Sequence, residues 1–133
     1  MWRHKKYQQA IKECTKIAQY YNKKCKELGL DDERLSGYTA FSRDYGGIGL
    51  NGKGDNAHEE FTMREHFTEN EPNFCKTARK PYDVVVTACL AVLKYRLGEF
   101  FNVSSDGRSD DWTNGVELAR KVLRRKVPNP IKE

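Results

Sequence analysis

Nowhere in these 133 residues is there a run of 18 apolar side chains, and the opening segment MWRHKKYQQAIKEC is polar and periodic instead of leading into an apolar core. The expectation is a soluble, cytoplasmic chain with no membrane partner and no ordinary secretion signal. The four cysteines, Cys14, Cys25, Cys75 and Cys89, lack CxxC spacing and sit among apolar neighbours. That pattern reads as reduced thiols, not as a disulfide framework or a zinc site. Motifs are also missing. In HEEFT, Thr62 occupies the place where the HExxH zinc pattern needs its second histidine, and GKG at Gly52–Gly54 lacks the rest of a phosphate-binding P-loop. There is no internal repeat and no linker, so one domain over residues 1–133 is expected, a length that buries most of its apolar surface.

What is abundant is charge, and it is unevenly laid out. The net charge is +5, yet residues 1–30 carry eight Lys and Arg against two acids, and residues 31–74 carry four against ten. Basic excess returns in 75–96, with five against one, and in 113–133, with six against two, while 97–112 is acidic. Such blocks either pair inside the molecule or each face a partner of opposite sign.

Tyr7, Ile11, Cys14, Ala18, Tyr21, Cys25 and Leu28 recur at steps of four and three, with Ala10 and Ile17 widening the stripe. This predicts a long amphipathic helix stopping at Gly29. Its seam can pack on the domain's own helices or make a homo-oligomer; Tyr and Cys are weak seam residues, which favours the former. From Asp31 to Asn73 the pattern is irregular, acidic and glycine-rich. Asn51-Gly52 signals a tight turn, with short strands expected at Ile48–Leu50 and Glu60–Met63. Pro81–Phe100 is apolar on nearly every side, which predicts a buried central helix with Pro81 in its first turn; the valine triplet 84–86 leaves a strand as the competitor. FNVSSDG reads as a strand closed by a turn. Asp110 or Asp111 then caps a last helix carrying Trp112, Val116, Ala119 and Leu123, before Pro128 and Pro130 end regular structure. The expected fold is therefore α/β (α+β): a small sheet packed on a buried central helix, with a long N-terminal amphipathic helix.

Three constellations could carry chemistry. In CKTARKPYDVVV, Lys76, Thr77, Arg79 and Lys80 precede the expected start of the central helix, next to Tyr82. Free N–H groups and the positive end of the helix dipole lie there, so cations are misplaced unless an anion joins them. A phosphate or carboxylate would satisfy both, with Arg79 gripping two oxygens; the alternative is ion pairing with the acidic segment 59–71. In NGKGDNAHEEF, the residues Asn51, Lys53, Asp55, His58 and Glu59 gather in a permissive loop where His58 and Glu59 could serve as base and acid. In SSDGRSDDW, Asp106 and Asp110 beside Ser105 could hold magnesium, or simply make a turn and a cap. The tail RKVLRRKVPNPIKE is basic enough for non-specific phosphate contact with nucleic acid, but no aromatic interleaves it, so single-strand stacking is not expected there.

The order NGKGDNAHEEF, NFCKTARKPYDVVV, SSDG, DDW, spanning roughly residues 51–120, resembles a set of small bacteriophage and prophage proteins. The resemblance implies a phage accessory protein working in bacterial cytoplasm, with a host defence protein as a conceivable target, and carries no activity with it. The leading expectation is a non-enzymatic binder of a phosphate-bearing ligand such as a nucleotide. Its ligand set would be Asn51, Lys53, Asp55, His58, Glu59, Lys76, Thr77, Arg79, Lys80, Tyr82, Ser105 and Asp106, with no cofactor or metal. The rivals are a metal-dependent hydrolase or nuclease using His58, Glu59 and Asp106, and an interaction protein docking on a host protein or nucleic acid through its basic helices.

Overall fold

Apolar residues three and four apart form one stripe of a helix, and this stripe is what the first element buries. A computed structural model describes residues 2–36, 48–57, 61–63, 80–98 and 109–131. Helix α1 spans Trp2–Glu27. Tyr7, Ala10, Ile11, Cys14, Ile17, Ala18 and Cys25 on its inner side are all buried within the chain's own fold. It ends where expected. Gly29 has φ 74°, its N–H donates to the Lys26 carbonyl, and the Leu30 N–H reaches back to the Cys25 carbonyl at 2.8 Å. This pair of bonds satisfies the last carbonyls of the helix, and it needs the left-handed conformation that glycine adopts freely.

The chain then folds back along α1. A 3₁₀ turn at Asp31–Glu33 is fastened by Tyr21, whose hydroxyl donates to the Glu33 carbonyl at 2.8 Å, and by Asn22, whose side-chain oxygen accepts the Leu35 N–H at 2.8 Å. Leu35 is thereby buried. Strands β1 (Ile48–Leu50) and β2 (Phe61–Met63) pair antiparallel, with Ile48 opposite Met63 and Leu50 opposite Phe61. Asn51 continues β1 into an isolated bridge with Ser36. Leu50 is fully buried and joins the main core.

Helices α2 (Asp83–Leu97) and α3 (Ser109–Leu123) complete the core. Val85, Val86, Thr87, Ala88, Cys89, Ala91, Val92, Leu93 and Leu97 of α2 are all buried, which no single facing surface could achieve. Two helices enclose it instead: α1 and α3 both pack along α2, and both contribute to one cluster of buried side chains, α3 through Val116 and Ala119. The closest approach is at Gly115. A β-carbon there would lie 2.8 Å from Thr87 Cβ and 2.9 Å from the Ala88 nitrogen. The Thr87 hydroxyl donates back to the Asp83 and Val84 carbonyls at 3.0 and 3.2 Å, so its side chain is held against its own helix while α3 passes over it.

The expected α/β class is overturned. The fold is predominantly helical, and among the described residues the strands form a two-stranded ribbon of three residues each, not a layer on the central helix. The reason is physical: a helix apolar on every side must be enclosed, and amphipathic helices with small residues at the crossings do this more closely than a three-residue ribbon can. The expectation for Pro81–Phe100 is also trimmed. Pro81 and Tyr82 form a turn and the helix begins at Asp83. Asp110 and Asp111 lie inside the first turn of α3, not at its cap. Asn51-Gly52 is not a two-residue hairpin turn, since ten residues separate Leu50 from Phe61 and a 3₁₀ turn at Gly54–Asn56 lies among them. The strand expected in FNVSSDG lies outside the described residues. No described helix is long and apolar enough to cross a membrane.

The α2–α3 crossing generates a first prediction. Gly115→Ala overlaps Thr87 and presses on the Ala88 backbone, and should destabilise the protein by about 2–3 kcal/mol, as overpacking of a tight core does. Thr87→Ala in the same chain should recover part of that loss. Urea unfolding of the two variants checks both; a Gly115→Ala midpoint equal to wild type would refute the close crossing.

Candidate functional site

The residues singled out from the sequence fall into three groups. His58, Glu59, Lys76, Thr77, Arg79, Ser105 and Asp106 lie outside the described residues. Asn51, Lys53 and Asp55 lie on the loop after β1. Lys80 and Tyr82 precede α2. The described members thus fall on two separate elements.

On the loop, Lys53 is already engaged with an acid. Its ammonium lies 3.2 Å from Asp31 Oδ2 and 3.3 Å from the Asp31 carbonyl oxygen, and Arg34 Nη1 bonds Asp31 Oδ1 at 2.7 Å. The hydrogen bond from Arg34, then that from Lys53, hold the Asp31 carboxyl below its ordinary value. All three side chains are exposed, so this cluster contributes little to stability. The loop itself is tightly drawn. Asn51 Oδ1 accepts the Gly52 N–H at 2.8 Å, Ser36 donates its hydroxyl to the Gly52 carbonyl, and a β-carbon on Gly52 would run into the Asn56 carbonyl. Asp55 is exposed on the 3₁₀ turn.

Ahead of α2, the expected cradle of free N–H groups is partly used. The Asp83 N–H donates to the Lys80 carbonyl at 2.9 Å, and the Val85 and Val86 N–H groups both donate to the Tyr82 carbonyl. Tyr82 itself is fully buried in the core, so its ring faces protein and not an open pocket. The first turn also carries its own acid, Asp83. No group of three His, Cys, Asp or Glu able to hold a metal occurs among the described residues.

Exposed cations are instead frequent on α1 and at the end of α3. Lys12, Lys16, Lys23, Lys24 and Lys26 are exposed on α1, and Arg120, Lys121, Arg124 and Lys126 are exposed on α3 and just beyond it. Tyr20 links the two sets: the Lys24 ammonium lies 5.7 Å and the Lys121 ammonium 5.8 Å from its ring centre. Seven residues earlier, two helical turns along the same side of α1, Glu13 is a second junction. It binds Arg96 of α2 through two parallel bonds, Nε at 2.8 Å and Nη2 at 2.9 Å, and also accepts from Arg125 Nη2. Both Glu13 and Arg96 are largely buried, and the carboxylate raises the Arg96 guanidinium above its already high value. Tyr95 completes this junction. It is 45% exposed, with the Arg125 guanidinium 5.1 Å and the Arg96 guanidinium 5.8 Å from its ring centre.

Sequence reasoning missed Glu13, Tyr20, Tyr95 and Arg96. Tyr20 and Lys24 are four apart on a predicted helix, and that spacing was a usable signal. The contacts of Glu13 with Arg96 and Arg125 close over 83 and 112 residues, and no local pattern announces them.

Glu13 is the acid that Arg96 and Arg125 share, so Glu13→Gln should lower stability by about 2 kcal/mol, the cost of leaving partly buried charged donors without their acceptor. Lys24→Gln, which breaks the exposed 3.3 Å pair with Glu27, should stay within about 0.5 kcal/mol. Chemical denaturation compares them, and equal effects would mean that the Glu13 junction has no structural weight. Against known proteins, the chain matches no family model, no curated protein and no solved structure, so its function is argued from this geometry alone.

Proposed function

We propose that this chain is a binding protein for phosphate-bearing polyanions, which it engages through the basic face shared by α1 and the end of α3. The observation that carries the reading is Tyr20, whose ring has a lysine from each helix beside it. It makes one surface of two basic segments that are about 100 residues apart in sequence. Cations held this close repel one another, and a polyanion relieves that repulsion while releasing its own counterions. Of the expectations drawn from the sequence, this is the interaction protein working through basic helices. A small phosphate-bearing ligand at Lys76, Thr77 and Arg79 depends on residues outside the described ones, and the described first turn of α2 spends its Asp83 and Val85 N–H groups on backbone carbonyls.

Arg124 supports the reading independently. It is the one non-glycine residue with positive φ among the described residues, at 55°, where its N–H closes the end of α3 onto the Arg120 carbonyl at 2.8 Å. Glycine occupies the equivalent place at the end of α2, where Gly98 has φ 57° and its N–H donates to the Lys94 carbonyl. An arginine there costs conformational energy, and its side chain is exposed, so packing offers nothing in return.

These features are tested by titrating a labelled DNA duplex with the whole chain at several salt concentrations, read by fluorescence anisotropy. Binding should weaken steeply with salt, and neutralising Lys16 or Arg124 should flatten the slope by about 0.9 for each phosphate that the variant no longer engages. Arg124→Gly should bind less well while folding as stably as wild type or better, by about 0.5–1 kcal/mol, because glycine tolerates that backbone conformation. Salt-independent binding, or no polyanion binding even at low salt, would sink the reading.

A further inference from the structure

A patch of cations alone suits any polyanion, and duplex DNA would need nothing more. This face has something more. Two tyrosines, Tyr20 and Tyr95, stand within it, and each has two cations beside its ring. Tyr95 is among the most exposed large hydrophobic side chains of the described residues. Tyr95 keeps nearly half of its surface open to a partner, and the hidden base faces of a duplex offer that ring nothing to stack on.

Single-stranded nucleic acid uses both features at once. Its unstacked bases offer flat faces to an aromatic ring, and its backbone offers a phosphate at every step to the neighbouring cations. The Glu13 junction prepares the Tyr95 end. It fixes Arg96 and Arg125 beside the ring, and a guanidinium carries five N–H donors, more than one shared carboxylate can engage. Two arginines against one glutamate also leave this end positive. Lys121 beside Tyr20 and Arg125 beside Tyr95 are four residues apart at the end of α3, about one helical turn, so a strand following that end meets both rings.

We propose that the α1–α3 face takes single-stranded nucleic acid, with Tyr95 stacking on a base while Arg125 and the Tyr20 lysines meet the flanking phosphates. This rests on the polyanion reading above and narrows it. Every base has a π-face, so binding is indifferent to sequence. In this proposal the rings come from α1 and α2 and not from the tail RKVLRRKVPNPIKE, which has no aromatic.

The test compares an oligothymidylate of about 15 nucleotides, an oligouridylate of the same length, the corresponding duplex and polyglutamate, each titrated with the whole chain at low salt. A single strand should bind more tightly than the duplex. Uridylate binding in place of thymidylate supports the proposal equally and makes RNA the ligand. Tyr95→Leu should weaken single-strand binding by about tenfold and leave duplex binding within about twofold, whereas Tyr95→Phe, which keeps the ring, should bind as wild type. Circular dichroism confirms that the variants fold. If the duplex binds as tightly as the single strands, or Tyr95→Leu has no effect, the single-strand proposal fails while the polyanion reading stands. Polyglutamate binding as tightly as the oligonucleotides would overturn the proposal in favour of an acidic protein partner. Failure of every polyanion to bind removes both readings.

Discussion

Helix α2 buries nine of its fifteen residues, on more than one side, and it governs the rest of the molecule. Val, Ala, Cys, Leu and Thr at nine buried positions cannot lie on a surface. They must be covered on opposing faces, and the cover must come close, because Ala88, Ala91 and Thr87 project too little to fill a wide gap. Gly115 allows it. With a hydrogen in place of a methyl, α3 settles onto Thr87 and Ala88 without overlap, and α1 covers the other side with Ala10, Cys14, Ile17 and Ala18. Dense packing then follows from small residues at the crossings more than from large ones in the centre.

Enclosing one apolar helix between two amphipathic ones decides where charge can go. The cover helices turn their apolar stripes inward, so the described Lys and Arg side chains on them face outward or lie at a seam. Glu13 is the exception that ties a seam together, accepting from α2 and from the residue two places beyond α3. A carboxylate with two arginines at one partly buried point is worth more than an exposed pair, since water screens it less and its geometry is bidentate on one side. The basic face is thus a by-product of the enclosure.

Local signals were legible and tertiary ones were not. The three-and-four spacing from Tyr7 to Cys25 marked α1, and Gly29 its stop, because both are written in adjacent residues. The apolar run after Pro81 marked a buried helix for the same reason. Its cover was misread: short strands at Ile48–Leu50 and Phe61–Met63 were foreseeable from turn and pattern, yet three residues each make a ribbon and not a layer. The expected site fared differently by residue. Tyr82 looked polar-tipped and available beside the cations, but the turn at Pro81 buries it. Lys53 looked free in a glycine-rich loop, but Asp31, 22 residues earlier, takes its charge. Tyr20, Tyr95, Arg96 and Arg125 come together only when α1, α2 and α3 have packed, and no window of sequence contains them.

The two helix ends of this chain allow the ordinary account of its charges to be weighed. Cations gather in the last turns of α1 and α3, Lys24 and Lys26 in one and Arg120 and Lys121 in the other, where the helix dipole favours them by about 0.3–1 kcal/mol each. That effect alone explains lysines and arginines within the final turn. It does not explain Arg124, which sits one step past the turn in a left-handed conformation that costs roughly 1–2 kcal/mol for a residue with a β-carbon. The dipole term is at most comparable with this cost, and it falls off beyond the last turn. The end of α2 fills the corresponding place, one residue past its last turn, with Gly98 at φ 57°. The Arg124 side chain is exposed, so burial does not offset that strain.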